Sequence, residues 1–506
     1  MSQFYDWLFT QNTTIATSDS GSCCSALISA LGSKVSLPGS AAYGSSLASY
    51  YSLDSSNATP LCIVSPETAQ DVSVTIRTLT DTATGLSLGS REAEQPFCQF
   101  AIRSGGHMTS ASNINGGVTI DLRGLNSISV TEDRSLASIS VGATWDAVYA
   151  HLDPLGLSVN GGRAAGVGVG GLSLGGGISY TSPRYGFTCD NVANYQIVIA
   201  NGTIADAQTD ADLLVVLRGA GAGNFGVVTR IDIEAFEQGS IWGGMTYHPT
   251  RTAAGQIEAF DRLSSAEEYD KHASQILTFA HSSLMGGMLP LTLIVNEMQY
   301  TKAEAKPAVF EPVMNLSRYY STMRMGGMAD FAKEGGGAQP KGLCQIQAVL
   351  TYESNISILN TTYGFWQESL ANIKGIPGIT WSLSLEPLPS AIYKKGAEKN
   401  TLGLGDRTAP LVVVLLTASF KYASDRPVVE AASRNLMSTI EEEARRQGVY
   451  DPWVYLGYAA PWQDPIASYG DESLTRLREV QRRIDPHGTF ARQVPGGFKI
   501  RPDAPA

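Results

Sequence analysis

Residues 161–177 read GGRAAGVGVGGLSLGGG. Within them Gly166-Val167-Gly168-Val169-Gly170-Gly171 satisfies the GxGxxG pattern, and Asp190 follows at about the distance, roughly 20 residues, at which a dinucleotide-binding crossover carries its ribose-binding acid. The flanks argue against that reading. The pattern should follow a strand and open a helix, but Val159-Asn160-Gly161-Gly162 precedes it and Gly175-Gly176-Gly177 follows. Each glycine costs a helix roughly 1 kcal/mol relative to alanine, so the tract is expected to be a loop. A flexible linker is disfavoured by Val167, Val169, Leu172, Leu174 and Ile178, which need burial. A buried loop so rich in glycine presents backbone N–H groups to a pyrophosphate or lies flat against a large planar ligand.

Outward from the tract, the pattern is strand-rich. Phe100 to Arg103, Val118 to Leu122, Ile128 to Val130 and Leu136 to Val141 read as short β-branched strands around a helix beginning near Pro66. Downstream, Tyr195 to Ala200 and Thr203 to Asp206 flank Asn201-Gly202 as a hairpin, Arg218 to Phe225 is a second Gly-rich turn, and Val227 to Phe236 alternates as a strand. After Gln238, helical patterns at Thr252 to Leu263, Lys302 to Leu316, Thr362 to Ile373 and Asp425 to Gln447 are separated by strands such as Leu291 to Val295, Gln345 to Thr351 and Val412 to Phe420. The expectation is an α+β chain: a helical lead-in over 1–57, a strand-rich domain over 58–238, a sheet backed by helices over 239–454, and a closing segment over 455–506.

Composition narrows the function classes. At 506 residues, 43% hydrophobic and 16% charged, the chain is too apolar for disorder. A net charge of -11 argues against nucleic acid as a partner. No apolar run approaches the roughly 20 residues of a membrane helix; the longest candidate, Leu411 to Leu416, fits a buried strand. Met1 to Ser20 shows neither the basic nor the apolar region of a signal peptide, whereas sequons at Asn12, Asn57, Asn201, Asn315, Asn355 and Asn360 lean toward a secreted glycoprotein ancestry. Cys23, Cys24, Cys62, Cys98, Cys189 and Cys344 have no metal-ligand spacing, which leaves one or two disulfides or buried thiols. A bridge from Cys23 or Cys24 to Cys62 would tie the helix at Cys23 to Leu31 to the first strand.

Arg103-Ser104-Gly105-Gly106-His107 sets a histidine after a Gly pair at a strand end. Alone it reads as a loop histidine held by hydrogen bonds. It is followed in order by Ile120-Asp121-Leu122-Arg123, the Gly162 to Gly177 tract, Ser182-Pro183-Arg184-Tyr185-Gly186-Phe187 with Asp190-Asn191, and Gly223-Asn224-Phe225-Gly226-Val227-Val228-Thr229. Tyr469-Gly470, Asp485-Pro486, Phe490 and Pro495-Gly496-Gly497-Phe498-Lys499 complete the series. In this order the motifs resemble the FAD-linked oxidoreductases of the vanillyl-alcohol oxidase superfamily, in particular the fungal, berberine-bridge-enzyme-like members. The resemblance implies a two-domain PCMH-type FAD-binding fold whose substrate domain is an antiparallel sheet backed by helices.

It also implies FAD held by Arg103, Ser104, Gly105, Gly106 and His107, by Gly162, Val167, Gly168, Gly170, Gly171, Ser173 and Gly176, by Asn191, and by Gly223, Phe225, Gly226 and Val228. His107 would carry the flavin through an 8α-N-histidyl bond, since a neutral imidazole is a competent nucleophile near pH 7. Members with a second, cysteinyl link carry it where this chain has Ala164, so a single attachment and a less oxidising flavin are expected.

The implied chemistry is hydride transfer from a small, secondary-metabolite-type molecule to FAD, reoxidised by O2, with a protein base. Relatives place that base in a Tyr-x-Asn-Tyr element, here Tyr455-Leu456-Gly457-Tyr458 with Gly457 in place of Asn. Tyr458 is the first candidate, although a phenol near pKa 10 must be lowered to work at neutral pH. Tyr180 is a candidate on the substrate side, and Glu386 a weaker one in a Glu-Pro-Leu-Pro turn; the strand Leu411 to Phe420 carries no carboxylate. Alternatives are a carbohydrate oxidase of the same fold and a flavin-retaining cyclase that catalyses a non-redox or pericyclic step. Partners are limited to substrate and O2, with a monomer or homodimer, no metal and no membrane.

Overall fold

A computed structural model describes residues 20–80, 98–109, 111–284, 289–339 and 341–501. Three sheets organise it. In the first, Cys62–Val64, Val118–Asp121 and Phe100–Arg103 run parallel, with Val35–Ser36 antiparallel at one edge. Parallel neighbours need a crossover, and the helix Ala69–Thr80 follows Cys62–Val64, burying Val72, Ile76 and Leu79 on one stripe. The second sheet is antiparallel, in the order Ile128–Val130, Leu136–Ser140, Val227–Glu237, Val192–Val198 and Ile204–Asp206.

Two disulfides fix the N-terminal helix Ser20–Leu31 to the first sheet: Cys24–Cys62 and Cys23–Cys98. Cys24 is thus the partner of Cys62; a second bridge falls within the expected one or two, but its pairing of Cys23 with Cys98 was not named because Cys98 precedes its strand with no local signal. Cys189 and Cys344 are free and buried. Asn57, Asn201, Asn315, Asn355 and Asn360 are exposed, while Asn12 and most of the N-terminal stretch lie outside the described residues.

The third sheet has nine strands, all antiparallel where paired, including Ile241–His248, Ala273–Leu284, Leu289–Tyr300, Thr380–Leu388, Leu411–Phe420 and Cys344–Glu353. Its period of two divides the two faces. Val412, Val414, Leu416, Ala418 and Phe420 join the core beneath the helices Ala253–Ser264, Ile356–Ile373 and Arg426–Arg446. Leu415, Thr417 and Ser419 face the opposite way, into a cavity. Ile356–Ile373 starts at Asn355, whose side chain accepts from Ser357 N, and buries Ile358, Leu359, Thr362, Trp366 and Ile373 at helical spacing.

Four local expectations are corrected. The glycine tract is not wholly loop: Val169–Leu174 is a short helix between Gly168 and Gly175. The three consecutive glycines follow that helix rather than lie in it, and Gly176 and Gly177 take φ of 106° and 83°. The predicted helix Lys302 to Leu316 shrinks to Glu311–Met314, because Pro307 and Pro312 restrict it to separate turns. The second Gly-rich turn is preceded by the helix Ala211–Ala220, which leaves helical geometry at Arg218 and Gly219. Finally, Glu386 lies in the strand Thr380–Leu388, not in a turn. Pro387 is tolerated there because pairing with Ala273–Leu284 ends at Leu385, leaving only one neighbouring strand. No helix among the described residues is long and apolar enough to cross a membrane.

Candidate active site

A cavity of about 670 Å³ lies between the glycine-rich segments and the third sheet. One wall is backbone. Ser104, Gly105, Gly106, His107, Val167, Gly168, Gly170 and Gly171 line it, joined by Gly223, Gly226 and Val228. Ser104 couples two of these segments: its Oγ donates to Val141 O at 2.5 Å and accepts from Gly170 N at 3.2 Å. A wall of glycines admits a planar ligand to backbone distance, the fit that a dinucleotide cofactor requires.

His107 stands at the edge of that wall. Its ring stacks on Tyr51 at 4.0 Å and 8°, and Nε2 lies 3.1 Å from Gln339 Oε1. Burial pulls its pKa down to about 4, so the imidazole is neutral and one ring nitrogen keeps its lone pair.

Other residues expected to touch the cofactor stand behind the wall. Arg103 points away from the cavity, pairing with Asp121 at 3.5 Å, bonding Ser46 O and Ser49 Oγ, and lying over the Tyr50 ring. It anchors the N-terminal helices to the RSGGH strand. Gly162 packs on Trp145 and Leu172, and Gly176 on Leu402 and Tyr455. Ser173 Oγ donates to Val169 O, Asn191 Nδ2 to Tyr185 O and Phe187 O, and Phe225 is fully buried. Asp190, the acid of the discarded crossover reading, accepts from Phe187 N and Asn400.

The facing wall is the third sheet, and its Glu386 meets Arg163 of the glycine tract and Tyr458 of the turn Leu456–Tyr458. Arg163 Nη2 donates to Glu386 Oε2 at 2.6 Å and to Tyr458 Oη at 2.7 Å, while Tyr458 donates to Glu386 Oε1 at 3.0 Å. Burial opposes the charge on Arg163, but Glu386 and Tyr458 hold its pKa well above the ordinary arginine range. Burial pushes the Tyr458 phenol up, opposite to the shift a free-standing phenolic base needs. Tyr180 is fully buried and does not line the cavity; its hydroxyl meets Glu297 Oε1 at 2.7 Å and Arg163 O at 2.8 Å. The structure thus brings together Tyr458 and Glu386, named separately from the sequence, and adds Arg163 and Glu297, which the sequence reading missed. The available signal was isolation: Arg163 is the only charge between Asp153 and Arg184, and Glu297 the only one in the apolar strand Leu289–Tyr300.

Ala164 lines the cavity, and neither free cysteine does. Among the described residues no cluster could hold a metal ion.

The family described as "FAD binding domain" matches residues 60–208. Oligopeptidase PhomG' of Diaporthe leptostromiformis is 38% identical over 92% of this chain, although the chain spans only 36% of that protein's length. FAD-dependent monooxygenase tpcD of Cochliobolus heterostrophus is 34% identical over 98% of both chains. Among solved structures, the glucooligosaccharide oxidase of Acremonium strictum, described with a 6-S-cysteinyl, 8α-N1-histidyl FAD, superposes with a TM-score of 0.74 at 16% identity, covering 95% of this chain and 100% of that one. A glycine-walled cavity, an FAD binding domain and a fungal relative matched over 98% of both chains together make this chain an FAD-dependent oxidoreductase that belongs to the family of the fungal FAD-dependent monooxygenase tpcD.

Proposed function

We propose that this oxidoreductase takes a hydride from a small, secondary-metabolite-type molecule to FAD held covalently by His107 alone, with O2 as the final acceptor. The observation that carries the reading is a neutral His107 on the backbone wall of a cavity that is also lined by the Arg163–Glu386–Tyr458 cluster. Bound FAD supplies the two-electron acceptor. His107 supplies the neutral nucleophile for attachment, and Ala164 offers no second one. The flavin-holding residues on this reading are Ser104 to His107, Val167, Gly168, Gly170, Gly171, Gly223, Gly226 and Val228.

Glu386, paired with Arg163 at 2.6 Å, is the base, and Tyr458 is its relay. A substrate hydroxyl gives its proton to Tyr458 Oη as the Tyr458 proton passes to Glu386, so no free phenolate is needed. Arg163 balances the charge before transfer. A carbohydrate oxidase is the second reading, supported by the uncharged hydroxyls and amide of Thr278, Ser382, Ser384, Thr417 and Gln347 on the sheet wall. Ala164 counts against it.

The test mixes enzyme anaerobically with a panel of phenols, aliphatic alcohols and oligosaccharides and follows the flavin absorbance. Bleaching by a phenol or alcohol is expected; bleaching by oligosaccharides alone selects the second reading, and turnover of a panel member without bleaching overturns both in favour of a redox-neutral cyclase. Acid-precipitated protein should stay yellow, and His107→Ala should release the colour.

A further inference from the structure

Tyr180 meets two oxygens closely, Glu297 Oε1 at 2.7 Å and the Arg163 carbonyl at 2.8 Å. Each O···O contact this short needs a proton between the atoms, and a phenol has one. The carbonyl can only accept, so the Tyr180 proton lies on that side. The proton on the other side therefore belongs to Glu297, which rests as a neutral carboxylic acid. The reverse assignment would leave two lone-pair oxygens facing each other at 2.8 Å.

The surroundings agree. Burial pushes the Glu297 pKa up, and no lysine or arginine among the described residues makes an ion pair with it. Arg163 and Glu386 are the charged groups that act on it, and Gln299 Nε2 reaches the same oxygen at 3.2 Å. The same count on the far side of Arg163 gives the opposite result. Arg163 donates to Tyr458, so the Tyr458 proton goes to Glu386, which must accept it as a carboxylate.

Both carboxyls line the cavity. Glu297 pairs across strands with Ile276, whose strand pairs in turn with that of Glu386, so two strand spacings, about 10 Å, separate their backbones. A carboxyl group that keeps its proton, in one cavity with another that accepts one, forms an acid and base pair.

We propose that Glu297 is a general acid of this site, donating its proton to a carbonyl oxygen while Tyr458 and Glu386 take one from elsewhere on the same molecule, so that the site accepts and tautomerises a conjugated ketone. The inference rests on the reading of the cavity as the substrate site. The spacing asks for a conjugated frame between the oxygen that gains a proton and the atom that loses one. The Glu297 O–H turns from Tyr180 Oη to the carbonyl of the bound molecule and breaks as an O–H bond forms there; after product release Glu386 gives its gained proton to solvent and Glu297 takes one back. At the other end a substrate C–H or O–H bond breaks, its electron pair enters the conjugated system, and its proton passes through Tyr458 to Glu386. The molecule gains one proton, loses one and gives up no electron, so the step needs no oxidant.

The test uses the FAD-loaded enzyme, infrared spectroscopy and 4-nitrophenol, whose phenolate mimics the oxyanion and reports its own protonation by colour. At pH 7 wild type should show the carbonyl band of a buried carboxylic acid that E297Q lacks and E386Q keeps. The phenolate should bind E297Q about tenfold more weakly than wild type, because an amide N–H is a poorer donor than the acid, and should bind E386Q no more weakly. Y180F, which keeps the acid but removes its partner, should keep the band at a shifted frequency, and it decides the matter if E297Q fails to fold. Absence of the band from wild type, its survival in E297Q, equal affinity of wild type and E297Q, or no binding to wild type overturns the proposal. None of these readouts involves flavin reduction, so a failed bleaching screen would remove the proposed oxidation without deciding this one.

Discussion

Gly105 and Gly168 meet backbone to backbone: a Cβ on either would lie 2.8 Å from the other's Cα. This contact closes the RSGGH turn onto the start of the Val169–Leu174 helix, and both glycines face the cavity. Neither neighbour is the movable end of a side chain, so strain from an added methyl cannot relax locally.

Gly105→Ala and Gly168→Ala should each destabilise the fold by about 1–3 kcal/mol and lower the FAD content of purified protein. Gly171→Ala is the control, since a Cβ there meets nothing within 4 Å; it should change stability little while still intruding on the backbone wall. Urea denaturation and the ratio of flavin to protein absorbance separate the two effects, and equal stability of all three variants would contradict the close contact.

The bridges Cys24–Cys62 and Cys23–Cys98 close loops of 38 and 75 residues. In the chain-entropy account each restricts the unfolded state enough to contribute about 4 kcal/mol. Cys24→Ser and Cys23→Ser should therefore each lower Tm clearly, with the longer loop costing slightly more. Thiol titration of denatured, unreduced protein should find Cys189 and Cys344 only, and titration of all six cysteines would refute both bridges.

The sheets were legible wherever a strand alternates or is β-branched, as at Val118–Asp121, Val227–Glu237 and Leu411–Phe420. Order of motifs supplied what periodicity could not, because no local rule links His107 to a glycine tract more than fifty residues away. The short helix Val169–Leu174 was hidden because propensity averages over a window, and its flanking glycines dominate the average. Glu386 was misread because Pro387 is a turn signal in sequence and a strand residue here only through a neighbour's early end. Arg163 and Glu297 escaped because the cluster spans elements far apart in the chain, and an ion pair or a shared proton leaves no periodic trace.

Arg163 satisfies Glu386 and Tyr458 through a single nitrogen, and the side chains of the ion pair are largely buried. Removing one partner of such a pair leaves an uncompensated buried charge, which costs about 3–5 kcal/mol. Glu386→Gln and Arg163→Met should each destabilise the protein by that order, while the double variant should lose much less than the sum. A coupling free energy of at least about 1 kcal/mol is expected from the cycle. Additive losses would mean that the pair is not formed in solution.

The imidazole of His107 gives the flavin-free protein a directional pH dependence. Its folded pKa of about 4 lies below the ordinary 6.5, with burial the main cause and Lys341 adding to it against the Gln339 hydrogen bond. Above pH 6.5 the residue is neutral in both states and contributes no slope. As the pH falls from 6.5 toward 4 the unfolded chain binds a proton that the folded chain refuses, so stability is lost, on the order of 2–3 kcal/mol across the window. Flavin-free wild type and His107→Ala should then diverge in urea midpoint between pH 6.5 and 4, with wild type losing more, and converge above that range. Parallel curves would mean that His107 is protonated as freely in the fold as outside it, and the case for a neutral nucleophile at this position would fall with them.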